Sequence, residues 1–597
     1  MTEDTDSKLL PAETKLAAAV NQGIMCRLVS SDTNQEPDRK LTLEDMQKWS
    51  DDHVIRASFL KKLLDRNQNT SVHVSGAIID GALFLTGQQI HILYLEKCFI
   101  RGEVHADGMK AGSLTFINCV FSAHVGLVAS TVDAFAFTGC TTLRPVWFRD
   151  SIWGSAMFDN TELLAKAWFD HMIVTGRATF TEGQFHDVDF SGSRFLNDAT
   201  FTGTHFSGEA RFTDAVAQTW NFNGAQFDDP NPGLWTGNNI DLSDTTFRKR
   251  GHLTVMAKTV TARRLRSIEG TQLSVRSETL DLTEADFQGP SIVTSYQLDE
   301  SDRVAFPIPL DTLDSFPLAK DIREYAINRS NAFTEQIVNT VRQIPGCELR
   351  SLRRASVAKL ALTKVSLGNC RFADAHNLEQ IRIGHECTFH RPRRLLRTRR
   401  DTIAEEDLWR ESRRTNTGPP FDVPSPGEIA AIYRSLRKSF EDTKNEPGAA
   451  DFYYGEMEMR RHAAAPRSFD RWLLNAYWAI SGYGLRASRA LLILVATLVL
   501  AGVLYHQPAF AQVVTPGRIT ALNFDNGTLV YSKPSKSPVP FPEALEFAAQ
   551  QSISLLWRPP TAIATSHGGT WLAWALHLVC PGLLALAVVA LRARIKR

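Results

Sequence analysis

Large apolar residues recur every five or six positions between residues 148 and 227. They are Phe148, Trp153, Phe158, Leu163, Phe169, Val174, Phe180, Phe185, Phe190, Phe195, Phe201, Phe206, Phe212, Ala217, Phe222 and Phe227. Twelve of these sixteen are Phe, in a chain with 34 Phe among 597 residues, so composition does not explain the run. A small residue stands two positions earlier in fourteen of the sixteen cases, including Ala156, Ala167, Ala178, Gly183, Ser193, Ala199, Ala210 and Ala225. A period of five is neither the 3.6 of a helix nor the 2 of a flat strand. It fits a chain that turns a corner every five residues, so that four sides close one coil of about 20 residues and coils stack at about 4.8 Å. The large residue then fills the interior of each side and the small one lets the corner close. The prediction is a mainly β fold, a quadrilateral β-solenoid.

At these residues the sequence resembles the pentapeptide-repeat family, whose repeat runs small, Asp or Asn, Leu or Phe, then two variable positions. Ala285, Asp286 and Phe287 match it, as do Val188, Asp189 and Phe190. Elsewhere the middle position holds Thr179, Gln184, Arg194, Thr200 or Arg211, which makes the pattern degenerate. The resemblance implies a right-handed solenoid. It implies little about activity, because function lives in sites grafted onto folds.

The pattern divides the chain. Residues 1–71 predict a helical N-terminal cap, with helices near Ala12 to Asn21 and Leu43 to Leu64, because an open solenoid end exposes strand edges and core. Residues 72–289 are the solenoid, glycines marking its less regular early corners. Residues 290–355 are an irregular and helical insertion, with Leu318 to Arg342 as a helix using Ile322, Tyr325, Ala326, Phe333, Ile337 and Val341. The last coils follow at 356–392, marked by Leu367, Phe372, Ile383 and Phe389. A separate small helical domain is the alternative for the insertion. Residues 393–427 read as a basic, Pro-rich linker.

Residues 428–485 predict a helical hairpin plus an interfacial helix. Glu428 to Lys444 carries Ile429, Tyr433, Leu436 and Phe440 at helical spacing, Asn445 to Gly448 makes the turn, and Ala449 to His462 is the second arm. Phe469 to Tyr483 then combines Trp472, Leu473, Tyr477, Trp478 and Ile480 with Asp470, Arg471 and Asn475, suited to a membrane interface. Residues 486–597 predict two transmembrane helices: Ala490 to Tyr505, and a second run from Trp571 to Leu591, with a re-entrant-like segment at 542–557.

Charge sets the expected topology. Arg486 and Arg489 precede the first span, and Arg592, Arg594, Lys596 and Arg597 follow the second, so both termini and the solenoid are expected in the cytoplasm of a cell-membrane protein. Met1 to Leu10 lacks the charge pattern and apolar core of a secretory signal. Net charge is only +1, but residues 151 to 230 hold eleven Asp and Glu against four Lys and Arg, whereas Arg391 to Arg400 holds six Arg. The acidic stretch would face a partner. The arginine run would meet anionic lipid or cap the solenoid.

Candidate chemistry is sparse. Eight cysteines include no CxxC, and Cys98, Cys119 and Cys140, spaced 21 apart, occupy the small-residue position as a predicted buried stack. A metal site at His385, Cys387 and His390 lacks a second ligand pair at usual spacing. There is no GxGxxG opening a helix, no GxxxxGK[ST], no HExxH and no GxSxG, so no catalytic residue, cofactor or metal is assigned. The C-terminal 170 residues resemble bacterial proteins that fuse pentapeptide repeats to a two-span, channel-like module, by Phe452 to Arg461 and Ser481-Gly-Tyr-Gly-Leu485. Such relatives are sometimes labelled membrane-associated oxidoreductases. In place of a selectivity filter the chain has Ser552 to Pro560, Ser-Ile-Ser-Leu-Leu-Trp-Arg-Pro-Pro.

Two functional expectations follow. The first is a non-catalytic, membrane-anchored scaffold that binds lipid through its spans and presents an acidic solenoid to a cytoplasmic protein. The resemblance also implies rods that imitate duplex DNA, but tethering at a bilayer argues against nucleic acid. The second is a degenerate channel-like module with the solenoid as its sensor, for which a homo-oligomer is the natural state.

Overall fold

The computed structural model describes the chain except residues 1–8, 29–42, 66–68, 299–319, 393–399, 416–422, 516, 518, 524–527, 532, 534, 554–562 and 596–597. Two compact units emerge, Met1–Gly418 and Pro419–Arg597. Their described helices are α1 (Pro11–Gln22), α2 (Leu43–Gln47), α3 (Ala57–Asp65), α4 (Lys320–Arg342) and α5 (Ala404–Thr415) in the first. The second holds α6 (Pro426–Asp442), α7 (Glu446–Ala463), α8 (Phe469–Ser481), α9 (Ala487–His506), α10 (Phe541–Ile553) and α11 (His567–Ile595).

The first unit is a solenoid-like stack of parallel strands. One line of paired residues runs Ile79, Ile100, Phe121, Thr142, Leu163, Phe185, Phe206, Phe227, Phe247, Ser267, Phe287, each step 20 to 22 residues. Phe148, Phe158, Phe169, Phe180, Phe185, Phe190, Phe195, Phe201, Phe206, Phe212, Phe222 and Phe227 are 0 to 1% exposed. They form files of stacked rings: Phe158, Phe180, Phe201 and Phe222 at centroid spacings of 5.1, 4.5 and 5.0 Å, and Phe169, Phe190 and Phe212 at 4.6 and 5.0 Å. These are offset-stack distances, imposed by strand spacing.

The small-residue position does more than close corners. Cys119 and Cys140 donate their thiols to carbonyls 24 residues back, Leu95 and Phe116, at 3.3 and 3.4 Å. Thr204 and Ser193 do the same with hydroxyls, to Phe180 and Phe169 at 2.6 Å each. Each side chain bonds one coil to the next from inside. Burial pushes the Cys98 and Cys119 thiols well above the ordinary range, as suits inert packing groups.

Parallel pairing begins earlier than residue 72: Cys26–Arg27 pairs with Ser71–Ser75, and Val54–Arg56 with Ile78–Asp80. The expected helix from Leu43 to Leu64 is therefore broken, with α2 and α3 flanking a strand. Val54 and Ile55 are adjacent β-branched residues, stiff at χ1 and better placed on a pleated surface than in a helix. At the far end, Leu280 pairs with Leu349, a step of 69 residues where preceding rungs step 20, so the strand ladder resumes after α4.

Helix α4 lies on the outside of the strand ladder. Ala326 and Ile327 pack on Ile152, Ile173 and Leu196 near its start, and Val338 and Val341 pack on Met256 near its end. At about 1.5 Å per residue its length matches about seven coils. Arg323 donates to the corner carbonyls of Ala129 at 2.8 Å and Asp150 at 2.9 Å, and Arg276 donates to the last carbonyls of α4, Val341 at 3.2 Å and Arg342 at 3.0 Å. Ile322 and Tyr325 face outward instead, at the helix start, so the docked stripe is rotated from the expected one.

Both ends of the ladder meet a glutamate. In α1, Glu13 accepts from Arg56 N at 3.1 Å and from its guanidinium. In α5, buried Glu405 accepts from the backbone N–H groups of Phe372 and Ala373. Each carboxylate takes N–H groups that a further strand would otherwise use, which blunts an exposed edge. Residues 401–415, expected in a linker, thus belong to the first unit; the arginine run lies mostly outside the described residues, though Arg400 and Arg410 flank Glu406 in a buried ion network.

In the second unit, α6 and α7 form a hairpin. Glu446, Pro447 and Gly448 are the first turn of α7 rather than the loop, since Asn445 caps that helix by accepting from Gly448 N at 3.1 Å, and proline suits a first turn. Between α9 and α10 the chain forms a strand, Ala511–Thr515, antiparallel to Ser535–Pro538 and to Ile563–Thr565 from the segment before α11, plus a hairpin of Ile519–Asn523 and Thr528–Tyr531.

Candidate functional site

Side chains alternate across the solenoid wall, so inward Val104, Val125, Val146 and Ala167 leave outward His105, Gly126, Trp147 and Trp168 in register, one per coil. Phe84 pairs with His105 at the start of this line and Asp189 follows Trp168. Phe84, 53% exposed, stacks on His105 at 5.0 Å and 6° between planes, and Trp147 stacks on Trp168 at 5.4 Å and 7°. Gly126 interrupts the line. A cavity of about 480 Å³ opens there, lined by His105, Asp107, His124, Gly126, Trp147, Arg149 and Asp150 among others.

Charge around the cavity is organised. Asp107 accepts from Val128 N at 2.8 Å, His105 meets Glu103 at 2.9 Å, and Arg149 reaches Asp170 at 3.0 Å. His171, hydrogen-bonded to Asp170 and facing Asp150, has its pKa raised. His124 stands 5.3 Å from the Trp147 ring, and its buried Nδ1 has no hydrogen-bond partner among the described residues. Much of the acidity of 151–230 is committed to structure: Asp159 accepts from Thr181 N at 2.9 Å and Asp187 from Glu209 N at 2.8 Å, each reaching the next coil. Arg194, one of the four cations there, is buried against the carbonyls of Gly192 and Asp214. Exposed Glu182 and Asp198 keep the outer surface acidic.

In the second unit the two sequence cues meet. Tyr483 packs on Tyr454 at 5.1 Å and donates to Glu458 at 3.3 Å, while Trp478 donates to Tyr454 Oη at 3.2 Å. The Gly482-Tyr483-Gly484 turn has three positive φ values, 53°, 59° and 77°, and reverses the chain between α8 and α9. Trp478 lies between Arg461 at 4.7 Å and Arg489, in the first turn of α9, at 5.3 Å, both cation–π contacts. Arg486 is the residue before α9, and Trp472 is 65% exposed on α8 beside Phe469.

Helices α9, α10 and α11 share one core of Ala501, Tyr505, Ala544, Phe547, Ala548, Leu576 and Cys580. Gly502 brings α9 close to α10: a Cβ there would stand 3.2 Å from the Leu545 backbone. Outward faces are apolar, with Leu492 69%, Trp571 76% and Leu578 82% exposed. Arg592 and Arg594 lie in the last turns of α11, and Lys596 and Arg597 lie outside the described residues, as do Ser554 to Pro560.

The outer aromatic line escapes a local reading because its members are 21 residues apart; reading the sequence in coil-length rows would have exposed it. No curated protein and no solved structure matches the chain. Residues 169–216 match the family model described as pentapeptide repeats (9 copies). The chain therefore carries a pentapeptide-repeat region, together with two helices long and apolar enough to cross a membrane, Ala487–His506 and His567–Leu591.

Proposed function

We propose that this protein is a non-catalytic, membrane-anchored pentapeptide-repeat scaffold whose solenoid presents an acidic cytoplasmic surface to a protein partner. The observation that carries the reading is the contrast between two surfaces of the chain. Outward residues of α9 and α11 are large, apolar and exposed, a surface that suits lipid around it. The parallel ladder is instead closed at both ends by glutamate-bearing helices and covered along one side by α4, leaving its remaining sides for contact. A right-handed, four-sided coil is supported by four inward lines per coil, those through Phe180, Phe190, Phe195 and Phe206, and by the handedness of parallel crossovers. Cytoplasmic placement rests on Arg486, Arg489, Arg592 and Arg594 flanking the spans.

In-cell photocross-linking tests the partner directly. A photoreactive residue at Glu182 or Asp198, in the full chain, is expected to give one discrete adduct, and the same residue on buried Phe180's neighbour Ala178 none. A smear from every position, or no adduct from either exposed one, contradicts the scaffold.

A second reading has its own observation. Helix α10 shares a core with α9 and α11, the arrangement of a short pore helix between spans, which favours a channel-like module. The exposed apolar residues of α9 and α11 also suit contacts between copies.

A further inference from the structure

The outer line has no ring at Gly126 itself, where His124 of the same coil leans on the Trp147 ring at 5.3 Å and 46° as one wall of the opening, and the surroundings define what would lie beside it. His105 presents one face toward Gly126 and Trp147 presents another from the opposite side, because Gly126 pairs with both. Their own far faces are already taken, by Phe84 at 5.0 Å and Trp168 at 5.4 Å. Two rungs of strand spacing leave room for one planar group in offset contact with both rings. Carboxylates surround the slot: Asp107 beside Gly126, Asp150 on its wall, and Glu103 against His105. Arg149 is the cation of the lining and is engaged with Asp150 and Asp170. The neighbouring rung already shows the chemistry, with Lys166 Nζ 5.1 Å over the Trp168 ring.

We infer that the slot at Gly126 is a binding site for a planar cation, the guanidinium of an arginine side chain carried by a protein partner. A guanidinium is flat enough to lie between His105 and Trp147, gains cation–π attraction from the indole, and offers N–H donors to carboxylates at its edge. A lysine ammonium has charge without the plane; a neutral planar amide has the plane without charge. The inference draws on the scaffold reading only for the carrier of the arginine.

The test uses ligand-detected saturation-transfer NMR on the full chain in detergent, with N-acetyl-arginine amide and its neutral isostere N-acetyl-citrulline amide. Arginine amide is expected to bind at least tenfold more tightly than citrulline amide. Trp147→Ala and Gly126→Phe should each abolish the arginine signal. Gly126→Phe fills the rung with a ring, and a Cβ there meets the Asp107 carboxylate, Oδ1 at 3.2 Å and Cγ at 3.9 Å, and Val104 O at 3.7 Å, so the Asp107 side chain gives by a few tenths of an ångström while the backbone stays clear. Should Trp147→Ala fail to fold, Gly126→Phe decides alone. Equal binding of citrulline, or an arginine signal unchanged in Gly126→Phe, overturns the inference. A chain that gives partner adducts from Glu182 but ignores arginine amide loses the slot and keeps the scaffold; one that binds arginine amide without any adduct keeps the slot and loses the scaffold.

Discussion

Phe180 is the ring whose loss measures what the inner files contribute. It is fully buried, stacks on Phe158 at 5.1 Å and 9° and on Phe201 at 4.5 Å and 2°, and meets Phe169, Phe185, Phe190 and Phe195 edge-on. Phe180→Ala removes the transfer energy of the ring and leaves a cavity that neighbours cannot close, because each neighbour is held in register by its own coil. Buried Phe→Ala changes cost about 3 to 5 kcal/mol, and this site belongs at the upper end since two stacked contacts go with it. Leu164→Ala, at an outward position 54% exposed, should change stability by less than about 0.5 kcal/mol. Hydrogen exchange reads the effect coil by coil. The Phe180 amide donates to Thr200 at 2.7 Å and the Gln184 amide to Thr161 at 2.8 Å, and both should lose protection by about a thousandfold, the equivalent of about 4 kcal/mol. In a stacked repeat the loss should spread to adjacent coils before reaching the ends. A change below tenfold, or one matching Leu164→Ala, would refute the claim that ring files hold the stack together.

Two further outcomes test the caps and the strap. Burial raises the Glu405 carboxyl from 4.5 to about 6, so the folded chain binds that proton more tightly than the unfolded chain. Its stabilising effect, about 2 kcal/mol, is complete below pH 4.5 and is lost as pH rises through 6. Urea midpoints of the wild type measured from pH 4 to 7.5 should fall accordingly relative to Glu405→Gln, which keeps an acceptor for Phe372 and Ala373; parallel curves would contradict the assignment. Arg276→Met removes the donors to Val341 and Arg342 at the α4 C-terminus, where a cation also meets the helix dipole. Exchange in the last turn of α4 should rise about tenfold or more while Phe180 stays protected, and unchanged exchange would show that apolar contacts with Met256 suffice.

The parallel stack was legible because its signal is local: a large residue every five positions and a small one two before it identify side and corner without knowledge of the coils above and below. What depended on neighbouring coils was not legible. Ile152-Trp153 and Ile173-Val174 put apolar residues on both faces of a strand, the mark of a wall buried from both sides, and that outer apolar line is where α4 docks. The same cause hid the outer rings, since Phe84, His105, Trp147 and Trp168 look like scattered surface residues until they are aligned at coil length. Glu13 and Glu405 read as ordinary helix-start acids, and only the bare N–H groups beneath them give them their role. In the second unit the two long apolar helices were legible from length and composition. The strands between α9 and α10 were not, because their few apolar residues, among them Val513, Val514, Leu529 and Val530, sit in short runs amid prolines and glycines.

Ion flux from proteoliposomes holding the full chain most directly tests whether α9 to α11 anchor a scaffold or line a pore. The scaffold account predicts flux no greater than that of empty liposomes, from protein that resists alkaline extraction. Flux that scales with protein density, or release of the chain by alkali, would contradict it.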